Sequence, residues 1–372
     1  MNRPIHTLTL SLLCTLAACT GSSEEPTRAL LVASVNNLSS PTYQIRFYQS
    51  STLQPGNFDP LRLVGSWNLD EPVVTLIYRR SLGVGNDQLW VLTPSRLRRY
   101  ITNNLTVDDV GTPILDGFDQ ALNVDCARGY LRQGQSRILL VCPPPSTTPP
   151  RPIEEYWAWL IPFTASALPA PVNFQDPYLV RLSAPARLTL GPSDQLLYLT
   201  PSQFGQYDFV NPFSEQPLSL SGSSPTDLIF ANGLALGLFD DNDPTTSDTT
   251  LATWNLSPTG EVGLVRDSSI AARFFARGAP PVFVLGSGLA RFEGSLQLPR
   301  EAETGLPRFL RYSAAAVGID QFLYAAQQDS PSLVVIDLTV NIASALTRAG
   351  VRFSPLGSGQ ERISGLAFIP VE

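Results

Sequence analysis

No lysine occurs in the 372 residues, and the one histidine, His6, lies close to the N-terminus. Each absence excludes a class of chemistry. Without a histidine in the body of the chain there is no Ser-His-Asp or Cys-His relay and no imidazole-ligated copper, zinc or haem. Without lysine there is no Schiff base and no Walker-type phosphate loop. No Ser-x-Asp-x-Gly box of the sialidase kind is present. Charge is also sparse: 15% of residues are charged, against roughly 25% in an average soluble protein. After the N-terminus no run reaches eighteen apolar residues, so no membrane-spanning helix is expected.

What the chain has in quantity is turn formers. Its 33 Pro and 26 Gly favour many short connections and argue against long helices. Hydrophobic residues reach 43%, spread over short segments rather than long ones. The expected class is all-β.

The N-terminus carries a targeting pattern. Arg3 supplies a positive start, LTLSLLCTLAA is an apolar core too short for a stable span, and the run ends in Leu16-Ala17-Ala18-Cys19. That ending resembles the lipobox of bacterial lipoproteins. The resemblance implies cleavage before Cys19, lipidation of Cys19 and a membrane-anchored place in the bacterial cell envelope, facing the periplasm or the exterior. The other reading is an ordinary secretory signal cut nearby, with Cys19 incidental. The expected division is a signal peptide over 1–18, a polar tether over 19–28 and a single folded domain over 29–372. Acyl chains contribute about 0.8 kcal/mol per buried CH₂, so two or three hold a protein on a bilayer.

Removing residues 1–18 takes away Arg3 and no acid. That leaves 24 Arg against 32 acids, a net charge of −8. That charge disfavours nucleic acid or an anionic membrane surface as the main partner. Cys126 and Cys142 remain, in NVDCARGYLRQGQSRILLVC, which reads as strand, turn, strand. In an oxidising compartment the two cysteines bridge those strands; two buried free thiols are the alternative.

The chain divides into repeated meanders of about four strands. ALLVASV, YQIRFYQ and LRLVGSWNL open it and lack a fourth partner. VVTLIYR, QLWVLTP, RLRRYIT and TPILDG follow, then ALNVDCA, RILLVCP and EYWAWLIP, with the exposed loop PPPSTTPPRP between the last two. ARLTLGP, QLLYLTP, QFGQYDF and PLSLSG form the next unit, then DLIFANG, LALGLFD, TLATWNL and EVGLVR, then AARFFARG, PPVFVLGS, GLARFEG and SLQLP. QLWVLTPSRLRRY at 88–100 and QLLYLTPSQFGQY at 195–207 agree at seven of thirteen positions, 107 residues apart. That offset is about two units, a spacing typical of propeller arrays. RYSAAAVGIDQFLYAAQQDSPSLVVIDL at 311–338 is the clearest unit, with RAGVRFS as its outer strand. The final ISGLAFIPV is a first strand with nothing after it.

Those two ends complete one another. The expected fold is a seven-bladed β-propeller whose last blade combines the N-terminal strands with the C-terminal one. Second strands such as QFLYAA, QLLYLT and RILLVC are apolar on both faces, as strands sandwiched between neighbouring sheets must be. The segment AAAVGIDQFLYAAQQDSPSLVVIDL resembles the YVTN-type repeat of lactonase-like seven-bladed propellers. Gly318-Ile319-Asp320 stands where that family prefers Pro-Asp-Gly. The resemblance implies the fold and carries no activity, because one such fold hosts many functions.

Three groups of side chains are candidate sites. Asp240, Asp241, Asn242, Asp243 and Asp248 crowd one loop and could hold Ca²⁺, or form a solvated acidic turn. Arg98 and Arg99, with Arg79 and Arg80 on the preceding strand, could pair with carboxylate or phosphate groups of a ligand, or be structural. Trp157 and Trp159 share one face of a strand and could stack on a sugar, or fill the core between sheets. Tyr100 and Tyr207 occupy equivalent repeat positions and are expected to pack. No complete catalytic set is present, and no cofactor beyond a possible calcium ion is implied. The leading expectation is a non-catalytic, lipid-anchored scaffold that binds an envelope protein or a glycan. The rival is a calcium-assisted lactonase-like hydrolase using channel carboxylates. A third reading is a scaffold within an outer-membrane assembly.

Overall fold

The structure, a computed structural model, describes residues 28–37, 39–49, 61–80, 87–102, 111–117, 124, 126–143, 153–163, 178–207, 215–217, 224–231, 233–240, 250–255, 272–277, 282–286, 288–292, 302–303, 311–318, 322–338, 350–355 and 360–371. Strands β1 (Arg28–Asn37), β2 (Thr42–Gln49) and β3 (Arg62–Leu69) open the chain. They are followed by β4 (Thr75–Arg79), β5 (Gln88–Leu92), β6 (Arg96–Ile101) and β7 (Thr112–Asp116) in one sheet. The next sheet holds β8 (Tyr130–Gln133), β9 (Arg137–Cys142), β10 (Glu154–Pro162) and β11 (Tyr178–Leu182). After it come β12 (Arg187–Leu190), β13 (Leu196–Leu199), β14 (Gln203–Gln206) and β15 (Glu215–Pro217). Strands β16 (Ser224–Ala231), β17 (Leu234–Asp240) and β18 (Thr250–Asn255) make a sheet of three. β19 (Ala272–Arg277), β20 (Val282–Gly286), β21 (Gly288–Phe292) and β22 (Ala302–Glu303) make another. β23 (Tyr312–Val317), β24 (Phe322–Gln327), β25 (Ser332–Asp337) and β26 (Gly350–Pro355) form the last complete meander before β27 (Glu361–Val371).

β27 pairs antiparallel with β1, so the two ends of the chain share one sheet, ordered β27-β1-β2-β3. The described strands thus form seven antiparallel sheets arranged in a ring. The reason is visible in the second strands. On β5, Trp90 and Leu92 pack toward the sheet of β9, while Leu89 and Val91 pack toward the sheet of β1. On β9, Ile138 and Leu140 face back while Leu139 and Val141 face forward. β13, β17 and β24 alternate likewise. Successive side chains on a strand point to opposite faces. A strand flanked by a sheet on each side therefore needs apolar residues at every position.

The closing sheet is fastened by polar groups as well. Asn36 donates from Nδ2 to the Val73 carbonyl (3.0 Å), and its Oδ1 accepts the Val73 N–H (3.1 Å). The register between β1 and β27 skips Ser364, and that bulged residue's hydroxyl donates to the same Val73 carbonyl (2.6 Å). Two polar side chains thus satisfy a backbone unit just before β4, across a sheet boundary.

The two Thr-Pro-Ser segments make the same turn. Thr93 N–H donates to Arg96 O (2.8 Å), and Thr200 N–H donates to Gln203 O (2.7 Å). The threonine hydroxyls accept the N–H of Arg96 (3.2 Å) and of Gln203 (2.9 Å).

Several expected strand positions are corrected. ALNVDCA does not form the first strand of its sheet. The chain turns at Cys126, whose carbonyl accepts the Gly129 N–H (2.8 Å), and the strand begins after it, at Tyr130. The disulfide Cys126–Cys142, with Cα atoms 4.8 Å apart, therefore ties a turn to the end of β9 rather than strand to strand. The outer strand expected at PLSLSG is instead β15, and the one expected at SLQLP is β22; the remainder of PLSLSG, and SLQLP itself, lie outside the described residues. EVGLVR, residues 144–152 of the proline-rich loop and residues 1–27, including Cys19, also lie outside them. β1 begins at Arg28, one residue before the expected start of the domain.

Candidate functional site

Of the innermost strands, β27, β4, β8, β16, β19 and β23 line a central cavity of about 360 Å³. Its wall mixes apolar side chains, among them Leu76, Phe275, Leu366 and Phe368, with the polar groups of Arg80, Arg132, Gln133 and Asp227. Small residues on β23, Ala314 and Ala316, leave it room.

The dominant polar feature is an ion pair across two sheets that are not neighbours. Arg132 on β8 reaches past the sheet of β12 to Asp227 on β16, where its Nη2 donates to Asp227 Oδ1. Its Nε also donates to the Leu228 carbonyl (3.2 Å). Asp227 Oδ1 additionally accepts the Leu228 N–H (2.8 Å). Both side chains are mostly buried, at 16% and 17% exposure, so the pair works in a low-dielectric setting where an unpaired charge is costly. Tyr130 supports it from below. The Arg132 guanidinium lies 4.7 Å from that ring and the Arg187 guanidinium 5.6 Å, while the phenol oxygen accepts the Leu188 N–H (2.9 Å). Burial raises the Tyr130 hydroxyl above its ordinary pKa, so it stays protonated.

The four arginines singled out in the sequence do not form one cluster. Arg98 and Arg99 are consecutive on β6 and point to opposite faces. Arg99 is buried, donates to the Phe163 carbonyl (3.3 Å) and lies 5.8 Å from the Trp90 ring. Arg79 sits 3.5 Å over the Phe163 ring. Both therefore clamp the neighbouring sheet at the end of β10. Burial lowers the pKa of both guanidiniums from the ordinary arginine value. Of the four, Arg80 is in the cavity wall, and it is exposed.

Trp159 is buried between the sheets of β5 and β9, and Trp157 packs against the same cluster. Tyr100 is buried and stacks on Trp67 at 4.5 Å, and Tyr207 packs beside the cluster shared by β9 and β13. Asp240 ends β17; Asp241, Asn242, Asp243 and Asp248 lie outside the described residues. Among the described residues no three His, Cys, Asp or Glu side chains group as a metal site. Arg132 and Asp227 went unremarked in the sequence. β8 reads YLRQ and β16 reads SPTDLIFA, where a charge beside other polar residues carries no distinguishing signal.

Solved structures share this architecture. The periplasmic gluconolactonase PpgL of Pseudomonas aeruginosa superposes with a TM-score of 0.55 at 15% identity, over 93% of this chain and 100% of that one. The fold is a β-propeller. Virginiamycin B lyase of Staphylococcus aureus (TM-score 0.45, 11% identity, 78% and 87% coverage) and the β-propeller domain of Cps50 (Swd1) of Myceliophteria thermophila (0.42, 13%, 77% and 90%) are more distant. No protein-family model and no curated protein sequence matches the chain. At these identities the likeness extends to the fold and not to activity.

Proposed function

We propose that this propeller is a lipid-anchored component of the bacterial envelope that binds another envelope protein or a glycan and does no chemistry of its own. The observation that carries the reading is the state of Asp227. The carboxylate in the described channel wall already accepts the Arg132 guanidinium and a backbone N–H through one oxygen. A proton or a cation taken up by this carboxylate would compete with the guanidinium for the same negative charge and leave Arg132, mostly buried, without a full counter-ion. Asp227 and Arg132 serve as a strut across the channel, which suits a rigid scaffold.

The rival, a calcium-assisted hydrolase, would draw on the acidic loop or on carboxylates beyond the described wall. One scan separates the two. Purified mature protein is heated with calcium, other divalent cations, lactones and envelope glycans, and the same panel is assayed for turnover. The scaffold reading expects no saturable turnover of any lactone or glycoside, and stoichiometric capture of one envelope component. A calcium-specific rise in Tm that disappears in Asp240→Asn/Asp243→Asn, together with turnover, overturns it. Mass spectrometry of the N-terminal peptide tests lipidation of Cys19 independently.

A further inference from the structure

The position where the tether joins the propeller is set by the register of the closing sheet. β1 starts at Arg28, opposite Val371, at one end of that sheet. Leu30 lies opposite Gln49, and Gln49 opposite Arg62, so β3 starts at the same end, about two strand spacings or roughly 10 Å away. β3 is the outer strand. Its second and third residues, Leu63 and Val64, are 51% and 47% exposed, and among the described residues Ile153 and Tyr178 are the only other large apolar side chains so exposed. The register between β2 and β3 skips Val64, a bulge that turns this residue outward. The exposed Arg62 precedes them.

We infer that Leu63 and Val64 rest on the lipid surface, so that the propeller sits on the membrane by the face on which the tether enters. The inference depends on the proposed lipidation of Cys19. From there to Arg28 the chain spans nine residues, at most about 30 Å at full extension. The opposite end of the same sheet, at Asn37 and Glu361, lies about 30 Å along β1 from Arg28. A tether this short holds the entry face near the bilayer and keeps the far face away. It also gives the apolar pair an effective concentration of roughly millimolar, at which a weak contact is populated. With a net charge of −8 after cleavage, the seat is apolar rather than electrostatic, with Arg62 as the one local cation of the trio. The far face, with the Asn37–Thr42 turn, is then left free for a partner.

The test is hydrogen exchange on lipidated full-length mature protein bound to phosphatidylethanolamine–phosphatidylglycerol vesicles, compared with unlipidated Cys19→Ser protein in solution. Amides 62–64 should exchange about tenfold more slowly on vesicles, while those of Ser39 and Ser40 stay unchanged. Lipidated Leu63→Ser/Val64→Ser should remain vesicle-bound and lose the protection. Equal exchange at 62–64 in the bound protein, or protection moved to Ser39 and Ser40, overturns the docking while leaving the anchor intact. An N-terminal peptide without acyl chains overturns the anchor and the docking together.

Discussion

Asp194 accepts the backbone N–H of Ser136 at 2.9 Å, across the boundary between two blades. The same carboxylate accepts the Gln135 N–H (2.6 Å) and the Ser136 hydroxyl. To do so Asp194 adopts φ 59, in the left-handed region, at the β12–β13 turn. The facing turn is shaped to match, because a Cβ at Gly134 would collide with the Asp194 carboxylate. A strained residue kept by three hydrogen bonds is a latch between blades.

Asp194→Ala removes the acceptor and leaves a β-carbon in a disfavoured conformation. The expected loss is about 1–3 kcal/mol, read as a lower urea midpoint with unchanged slope. Asp194→Asn tolerates the backbone geometry and keeps one acceptor oxygen, so its loss should be about half as large.

Breaking the channel strut should cost more. Asp227→Asn leaves the Arg132 guanidinium mostly buried without its counter-ion, and about 3 kcal/mol of stability should disappear. The double variant Arg132→Met/Asp227→Leu removes both charges and should recover much of that. Chemical denaturation of the two variants, side by side, decides it. A double variant as unstable as the single one would show that shape rather than charge is what matters here.

The Cys126–Cys142 disulfide closes a loop with a sequence separation of 16. Replacing both cysteines by alanine should cost about 3 kcal/mol, chiefly through a less constrained unfolded chain. Thiol titration of the denatured, unreduced mature domain should find neither cysteine reactive. Recovery of two free thiols would count against the bridge.

Alkaline stability offers a test with a defined window. Burial pushes the Tyr156 hydroxyl up to about 12 from its ordinary 10, outweighing the Ala186 N–H that donates to it at 2.6 Å. The fold favours the protonated phenol. Its contribution is therefore complete below pH 10 and lost as the pH rises toward 12, a loss of about 3 kcal/mol. Tyr156→Phe should flatten part of that decline in urea-unfolding measurements at pH 10 and pH 12. The remainder belongs to other buried phenols such as Tyr130, whose pKa is raised by burial too.

The class of fold, its repeat and its closure were legible in the residues alone. Apolar residues at every position of LLYL at 196–199 and ILLV at 138–141 demand a neighbour on both faces, and a final first strand without successors demands the opening three. These are local patterns, and a local pattern can be read without knowing what packs on it. The excluded chemistries were legible as well, because an absent lysine is absent wherever the chain goes and the one histidine, His6, precedes the propeller strands. Which charges meet was settled by packing alone. Arg132 and Asp227 are 95 residues apart and on non-adjacent sheets, and nothing in either segment names the other. The same holds for the arginines. Consecutive residues on a strand face opposite ways, so Arg98 and Arg99 parted, and Arg99 joined Arg79 at Phe163 because the neighbouring sheet ends there. Where the ends of β1 and β3 fall on the ring was likewise a matter of register, and register is set by pairing across strands rather than by the residues of any one strand.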